Sequence, residues 1–291
     1  MVKSRLILLP VLALALLGVV LGPIGAKLLG FERLIDAPAV HLAPQKIFAI
    51  GGFTVTNTLL SAWLTCIVIL LLFGLGSRRM AMVPGRLQGF LEVLIEALYG
   101  FIRGMAGERY ARRWFPLLAT IFVFVAFNAW MALLPIYPTV GFKAEGADHV
   151  TTHLLRSAGT DINMPLALAL VAFVFIEVWG FRVHRFGYMR EFFRFGNPVQ
   201  TFIGLLELIS HFIRIISFTF RLFGNMLAGE IVLFMMTFLT FFVTPIIFYG
   251  LEILVGGVQA LVFMGLTLVF AVLAVAPHEG HKEEHAEAGQ H

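Results

Sequence analysis

Charged residues are scarce in this chain: only 13% of its 291 residues are Asp, Glu, Lys or Arg, about half the share usual in a water-soluble domain. With 59% of residues apolar there is too little polar surface to face water, so a soluble fold is excluded and a bilayer is the fitting solvent. Cysteine is nearly absent. Cys66 stands alone, which excludes an intrachain disulfide and a Cys-based metal centre, and its place in an apolar run marks it as a small hydrophobe. The net charge of +4 is small and is not gathered into one patch, which argues against a nucleic-acid partner. No internal repeat is evident, which counts against a repeat-built transporter. Proline is missing from one long stretch, between Pro198 and Pro245.

What the chain does hold is apolar runs of membrane-crossing length. A hydrocarbon core of roughly 30 Å takes about 20 residues of helix. Candidate spans are Leu6–Gly25, Thr54–Leu75, Phe115–Pro135 and Leu166–Phe181, followed by two longer segments, Val199–Phe242 and Ile246–Val275. Backbone exposed to lipid must pair with itself, so the fold class is all-α, with five or six membrane helices. Lys3 and Arg5 before the first run also suit a secretory signal, although Ile24-Gly25-Ala26 makes a poor cleavage site and favours a retained helix. Three regions result: an N-terminal hydrophobic segment over 1–26, a membrane domain over 27–277, and a polar tail over 278–291. That tail reads as disordered; its four histidines fit a solvated segment better than a metal site.

Arginines set the orientation. Arg78, Arg79, Arg86, Arg103, Arg109, Arg112 and Arg113 fall in one inter-span stretch, and Arg182, Arg185, Arg190 and Arg194 in another. The Tyr137–Asn163 stretch carries only Lys143 and Arg156. The positive-inside rule puts the arginine-rich stretches and the C-terminus in the cytoplasm. Between Arg86 and Arg113, apolar Phe90, Leu91, Leu94, Ile95, Leu98, Ile102 and Met105 recur at helical spacing, with Gln88, Glu92, Glu96 and Arg103 on other faces. An amphipathic helix on the cytoplasmic interface is predicted, its apolar side open to packing against other helices.

The segment Val199–Phe242 would run upwards of about 60 Å as one helix, roughly twice the hydrocarbon thickness, so it must tilt, bend or break. Glu207, Ser210, His211, Arg214, Ser217, Arg221 and Asn225 fall within about 120° of arc along it, a polar stripe on an apolar helix. A charge at the bilayer centre costs at least about 2.5–3.5 kcal/mol on insertion scales, so an accidental stripe is improbable and function is the better explanation. Glu230 lies about 140° away from Asn225. Glu252 and Gln259 share a face of the last segment, and with Glu230 they form a second predicted polar cluster between the two long helices. Asp161, Asn163 and Glu177 add polar groups at or near the outer half of the preceding helix, and for Glu177 an ion pair near a helix end fits as well as a proton-carrying role. Arginine cannot lose its proton in a protein, so Arg221 cannot relay protons; it can bar them and attract a carboxylate from a partner.

The run Arg221-Leu222-Phe223-Gly224-Asn225-Met226-Leu227-Ala228-Gly229-Glu230 resembles the signature of the F-type ATP synthase a subunit. Gln259-Ala260-Leu261-Val262-Phe263-Met264 with Leu266-Thr267 is similar to that family's last helix, and Val83-Pro84-Gly85, Asn128, Leu133-Leu134-Pro135, Thr160-Asp161-Ile162-Asn163 and Glu207 match as well. The similarity covers about Thr54 to Pro277. It implies two long tilted helices against a rotating ring of c subunits, b-type stator subunits as further partners, and a place in the bacterial inner membrane. Arg221 would face each ring carboxylate. Asn225, Glu230, Glu252 and Gln259 would line the outer half-channel, and Glu207 and Ser210 the cytoplasmic one, with His211 added by its place on the stripe. Many relatives carry a histidine where this chain has Glu230 or Glu252, so two acids here are expected to titrate as a coupled pair. Ala132 likewise replaces a small or acidic residue before Leu-Leu-Pro. No cofactor or metal is implied, and no catalytic residue. The alternative class is a secondary ion-coupled transporter, which predicts broken helices and related halves that the sequence does not carry. A membrane-embedded enzyme fares worse, since His149, His153, His184 and His211 are scattered without metal-ligand spacing.

Overall fold

A computed structural model describes residues 43–78, 80–142, 152–185, 198–240 and 243–276, with isolated residues between 10 and 27. The first predicted span falls largely, and the polar tail wholly, outside the described residues.

Chain order begins with an antiparallel hairpin, β1 (Lys46–Ile50) and β2 (Phe53–Thr56), and passes directly into helix α1 (Asn57–Ser77). The Thr56 side chain caps α1 by accepting the Leu59 amide. Then come α2 (Arg86–Ala132), the single turn α3 (Ile136–Thr139), a two-residue ladder of β3 (Gly141–Phe142) with β4 (Thr152–His153), a 3-10 turn at Ala158–Thr160, and α4 (Asn163–His184). Two long helices close the described chain, α5 (Pro198–Thr240) and α6 (Val243–Val275). Five of these helices are long and apolar enough to cross a membrane. The all-α reading thus holds for the membrane part, and the two small ladders are additions that sequence periodicity did not announce. Thr54, taken as the start of the first described span, belongs instead to β2.

Two segments expected to be separate, the amphipathic helix and the span from Phe115, run together as α2. The chain reverses inside it at Gly107, whose φ of 73° and ψ of 163° are closed to residues with a side chain. The reversal is visible in contacts: the Tyr99 and Phe115 rings lie 5.5 Å apart edge to face, whereas sixteen residues of straight helix would separate them by about 24 Å. Tyr99 also donates to Glu108 at 2.9 Å across the turn. Residues 86–106 therefore form an arm folded back along residues 108–132. Leu91, Leu98 and Ile102 of the arm are buried, while Phe90, Ile95 and Met105 stay exposed, so the arm's apolar surface is divided between the bundle and its surroundings. Gly107→Ala should destabilise the chain by on the order of 1–3 kcal/mol. The check is heating of the detergent-solubilised protein, and an unchanged aggregation temperature would count against a conformationally required glycine.

α5, at about 64 Å by helical rise, has no internal proline and runs unbroken over its described length. Pro245 sits in the first turn of α6, where the missing amide removes no helical hydrogen bond. The core lies among α2, α4, α5 and α6. One layer joins Val125 and Ala129 to Ala169, Leu222, Met226 and Phe263. A second joins Trp114 and Leu118 to Ile176, Trp179 and Leu268. Small residues at these crossings (Ala129, Ala169, Ala172, Ala260) let the backbones approach, the means by which helices gain contact where no hydrophobic force separates them from lipid. α1 packs on the outside of α2.

Candidate functional site

At one end of the bundle the N-terminus of α1, the C-terminus of α2, α3, the segment before α4, the later half of α5 and the start of α6 enclose a cavity of about 250 Å³. Its titratable or charged lining residues are Tyr137, His153, Arg156, Glu230, Tyr249 and Glu252. Glu230 does not stand alone against Glu252. Arg156 reaches it with Nε at 3.2 and 3.3 Å from the two carboxylate oxygens and with Nη2 at 3.0 Å from Oε2. A guanidinium fork matches a carboxylate in this way, and both side chains are largely withdrawn from solvent. Glu252 has no hydrogen-bond or ion-pair partner among the described residues. Its carboxyl fills the space over Gly229 that a Cβ there would take, which brings α6 against α5 one residue from Glu230.

The cavity rim is held by polar contacts between distant segments. The Asn57 side chain accepts from the Gln45 amide and donates to the His153 carbonyl, and the His153 amide donates to the Gln45 side chain. The Tyr137 hydroxyl meets Ser61 at 2.7 Å. Burial pushes the Tyr137 phenol up, against the opposing influence of Ser61 and Thr65, so it stays neutral and remains a hydroxyl. Asp161 is buried; it accepts from Thr58 at 2.9 Å and from the Asn163 side chain at 2.9 Å. The pair Asp161 and Asn163 thus ties α4 to α1 and is not part of the cavity lining.

A second polar group lies toward the other end of α5. His211, buried, places Nδ1 2.6 Å from Glu177 of α4 and Nε2 3.8 Å from the half-exposed Glu207 one turn earlier. Glu177, grouped by sequence with Asp161 and Asn163, sits fourteen residues beyond Asn163, about 21 Å along α4, and makes its ion-pair contact with His211 of this second group. Ser210 is exposed beside it.

Arg221 stands between the two groups, about 15 Å along α5 from His211 and about 14 Å from Glu230. It is exposed, and its only described contact is Ser217 Oγ at 3.4 Å. No carboxylate among the described residues lies within ion-pair range of it. Around it runs an exposed apolar ribbon of Ile213, Ile216 and Phe220, continued by the exposed small residues Gly224 and Ala228. The predicted stripe therefore does not share one environment. His211 meets Glu177 of α4, Arg214 lies 4.1 Å from the Phe270 ring of α6, and Ser210 and Arg221 face outward. Asn225 is half-buried one turn beyond Arg221. Gln259 is buried two turns beyond Glu252 on α6 with its Nε2 unpaired, and both amide atoms of fully buried Asn128 are also unpaired among the described residues.

Sequence reasoning misses Arg156 in this role, where it is one of two cations in the Tyr137–Asn163 stretch. Its signal was its isolation, one arginine in a stretch otherwise poor in cations. Tyr137, Gln45 and Asn57 gave no signal, because they join the site only through tertiary approach of segments 12 to 108 residues apart.

Comparison with known proteins agrees with this architecture. Residues 59–272 match the family described as ATP synthase A chain. The chain is similar to ATP synthase subunit a of Gloeobacter violaceus, 34% identical over 254 residues that cover 87% of this chain and 97% of the relative. It is similar to ATP synthase subunit a of Helicobacter pylori at 33% over 244 residues, 81% of this chain and 99% of that one. Five apolar helices, a buried ion pair facing a second acid and an outward arginine are thus set on a chain that belongs to the ATP synthase A chain family.

Proposed function

We propose that this chain is the stator subunit of the membrane sector of a bacterial F-type ATP synthase, giving protons two half-channels separated by Arg221. The observation that carries the reading is Arg221 itself: a permanent cation on an apolar, outward face, with no carboxylate near it among the described residues. An exposed charge at membrane depth calls for an opposite charge on a partner, since the alternative is an unpaired ion in hydrocarbon. A ring of c subunits carrying one carboxylate each fits that face, and Gly224 and Ala228 leave room for a neighbouring helix to approach.

In this reading a proton from outside enters the cavity at Glu230 and Glu252 and passes by Gln259 and Asn225 to a ring carboxylate. The neutral carboxyl then moves into lipid. After nearly a full turn it meets the second path, where Glu207, Ser210, His211 and Glu177 take its proton to the cytoplasm. Arg221 then attracts the bared carboxylate and keeps the two paths apart. The electrical part of the driving force is about 2.3 kcal/mol per charge per 100 mV. The chain does no catalysis alone; it sits in the inner membrane with its C-terminus cytoplasmic, beside b-type stator subunits.

Affinity purification of the tagged chain from gently solubilised membranes should bring down a ring of small, carboxylate-bearing helical hairpins. Single cysteines placed at Ile213 or Phe220 should cross-link to that ring in a Cys66→Ser background. Recovery of the chain as a free transporter, with no ring and no cross-link, would overturn the proposal.

A further inference from the structure

The cavity holds two acids, and their surroundings differ. Both oxygens of Glu230 are taken by Arg156, at 3.0 to 3.3 Å, and Arg156 is itself braced by the Ala43 carbonyl at 3.4 Å. Glu252 faces the same cavity with no partner among the described residues, held in place by the open space over Gly229. A carboxylate bound in a guanidinium fork has few lone pairs left for a passing proton, and releasing it breaks charge-assisted hydrogen bonds. An acid without a partner has neither obstacle.

We propose that Arg156 is a positioning residue for proton uptake: by occupying Glu230 it leaves Glu252 as the acid that takes the proton from the cavity. This rests on the half-channel reading above and assigns different parts to its two acids. Glu230 and Arg156 together form a fixed, net-neutral dipole on one wall, and Glu252 is the group that changes charge opposite it. The other ionisable groups facing the space are His153 on β4, Tyr137 on α3 and Tyr249 on α6. The Tyr137 hydroxyl is held by Ser61, and His153 is tied to Gln45 and Asn57 through its backbone.

The test is the rate of ATP synthesis by the whole reconstituted complex, read against the pH of the compartment to which the cavity opens, with the other side fixed. Glu252→Gln should cost roughly tenfold more in rate than Glu230→Gln, the difference between losing a proton carrier and losing its fixed neighbour. Arg156→Gln should move the pH midpoint upward by on the order of one unit, because removing the cation favours a bound proton among two acids. Arg156→Lys should keep the midpoint near the parent value, and Arg156→Gln with Glu230→Gln should bring it back. Equal losses in the two single Glu variants, or a parent-like midpoint in an assembled Arg156→Gln complex, would overturn the proposal. If Arg156→Gln does not assemble, the comparison of the two Glu variants decides alone. Failure of the half-channel reading itself looks different: Glu230→Gln with Glu252→Gln would then leave proton flux unchanged.

Discussion

Arg221→Ala should abolish proton-driven ATP synthesis, if the proposed role holds, while the chain still folds and assembles. The guanidinium touches only Ser217 among the described residues and lies outside both core layers, so removing it leaves no buried acid unpaired and opens no cavity. Stability should thus change little, in contrast to the several kcal/mol lost when one member of a buried ion pair is deleted. What disappears is a charge that attracts a carboxylate in low dielectric, where two unit charges at 4 Å interact by about 4 kcal/mol even at an effective dielectric of 20. Without it the arriving carboxylate has no cation to displace its proton toward the second path, and nothing bars protons from crossing directly. The measurements are ATP synthesis driven by an imposed gradient in reconstituted vesicles, expected at background, and passive proton leak after the gradient is formed, expected to rise. Normal synthesis would remove Arg221 from the mechanism.

Glu230→Gln combined with Glu252→Gln should stop proton uptake from the cavity side under the proposed half-channel reading. Both acids line one space, and no other carboxylate is among its lining residues. The amides keep shape and volume, so the loss is of proton exchange and not of packing. Replacing Glu230 does strand the largely buried Arg156, and the complex should be somewhat less stable for it. For that reason assembly is scored beside flux: the expected outcome is an assembled complex with passive uptake through the membrane sector reduced by roughly two orders of magnitude or more. Flux at the parent level would show that protons reach the ring by another path.

Most of the membrane architecture was legible in the sequence because the bilayer allows few alternatives. A run such as Asn57–Ser77 must be a helix once it is placed in lipid. The site was legible where a charge sat against its surroundings, as with Arg221, Glu230 and Glu252. It was illegible where meaning depends on approach. Glu177 is one residue in an apolar run and says nothing of which end it serves until His211 comes within 2.6 Å of it. Arg156 looks like any loop cation until the segment before α4 folds over α5. Gly107 hides for another reason: the apolar periodicity before it and after it is that of good helix, and only a φ of 73° reveals a reversal between them.

The arm before Gly107 bears on a parity. It carries Glu92, Glu96 and Arg103 and is no apolar span of its own, so α2 supplies one candidate crossing although it is 47 residues long. The described chain then has five helices long and apolar enough to cross, α1, α2, α4, α5 and α6. If all five cross, as the proposed function requires, the odd number puts the β1–β2 hairpin and the end of α6 on opposite sides of the membrane. An arm apolar enough to cross by itself would make the count even and bring those two ends to the same side.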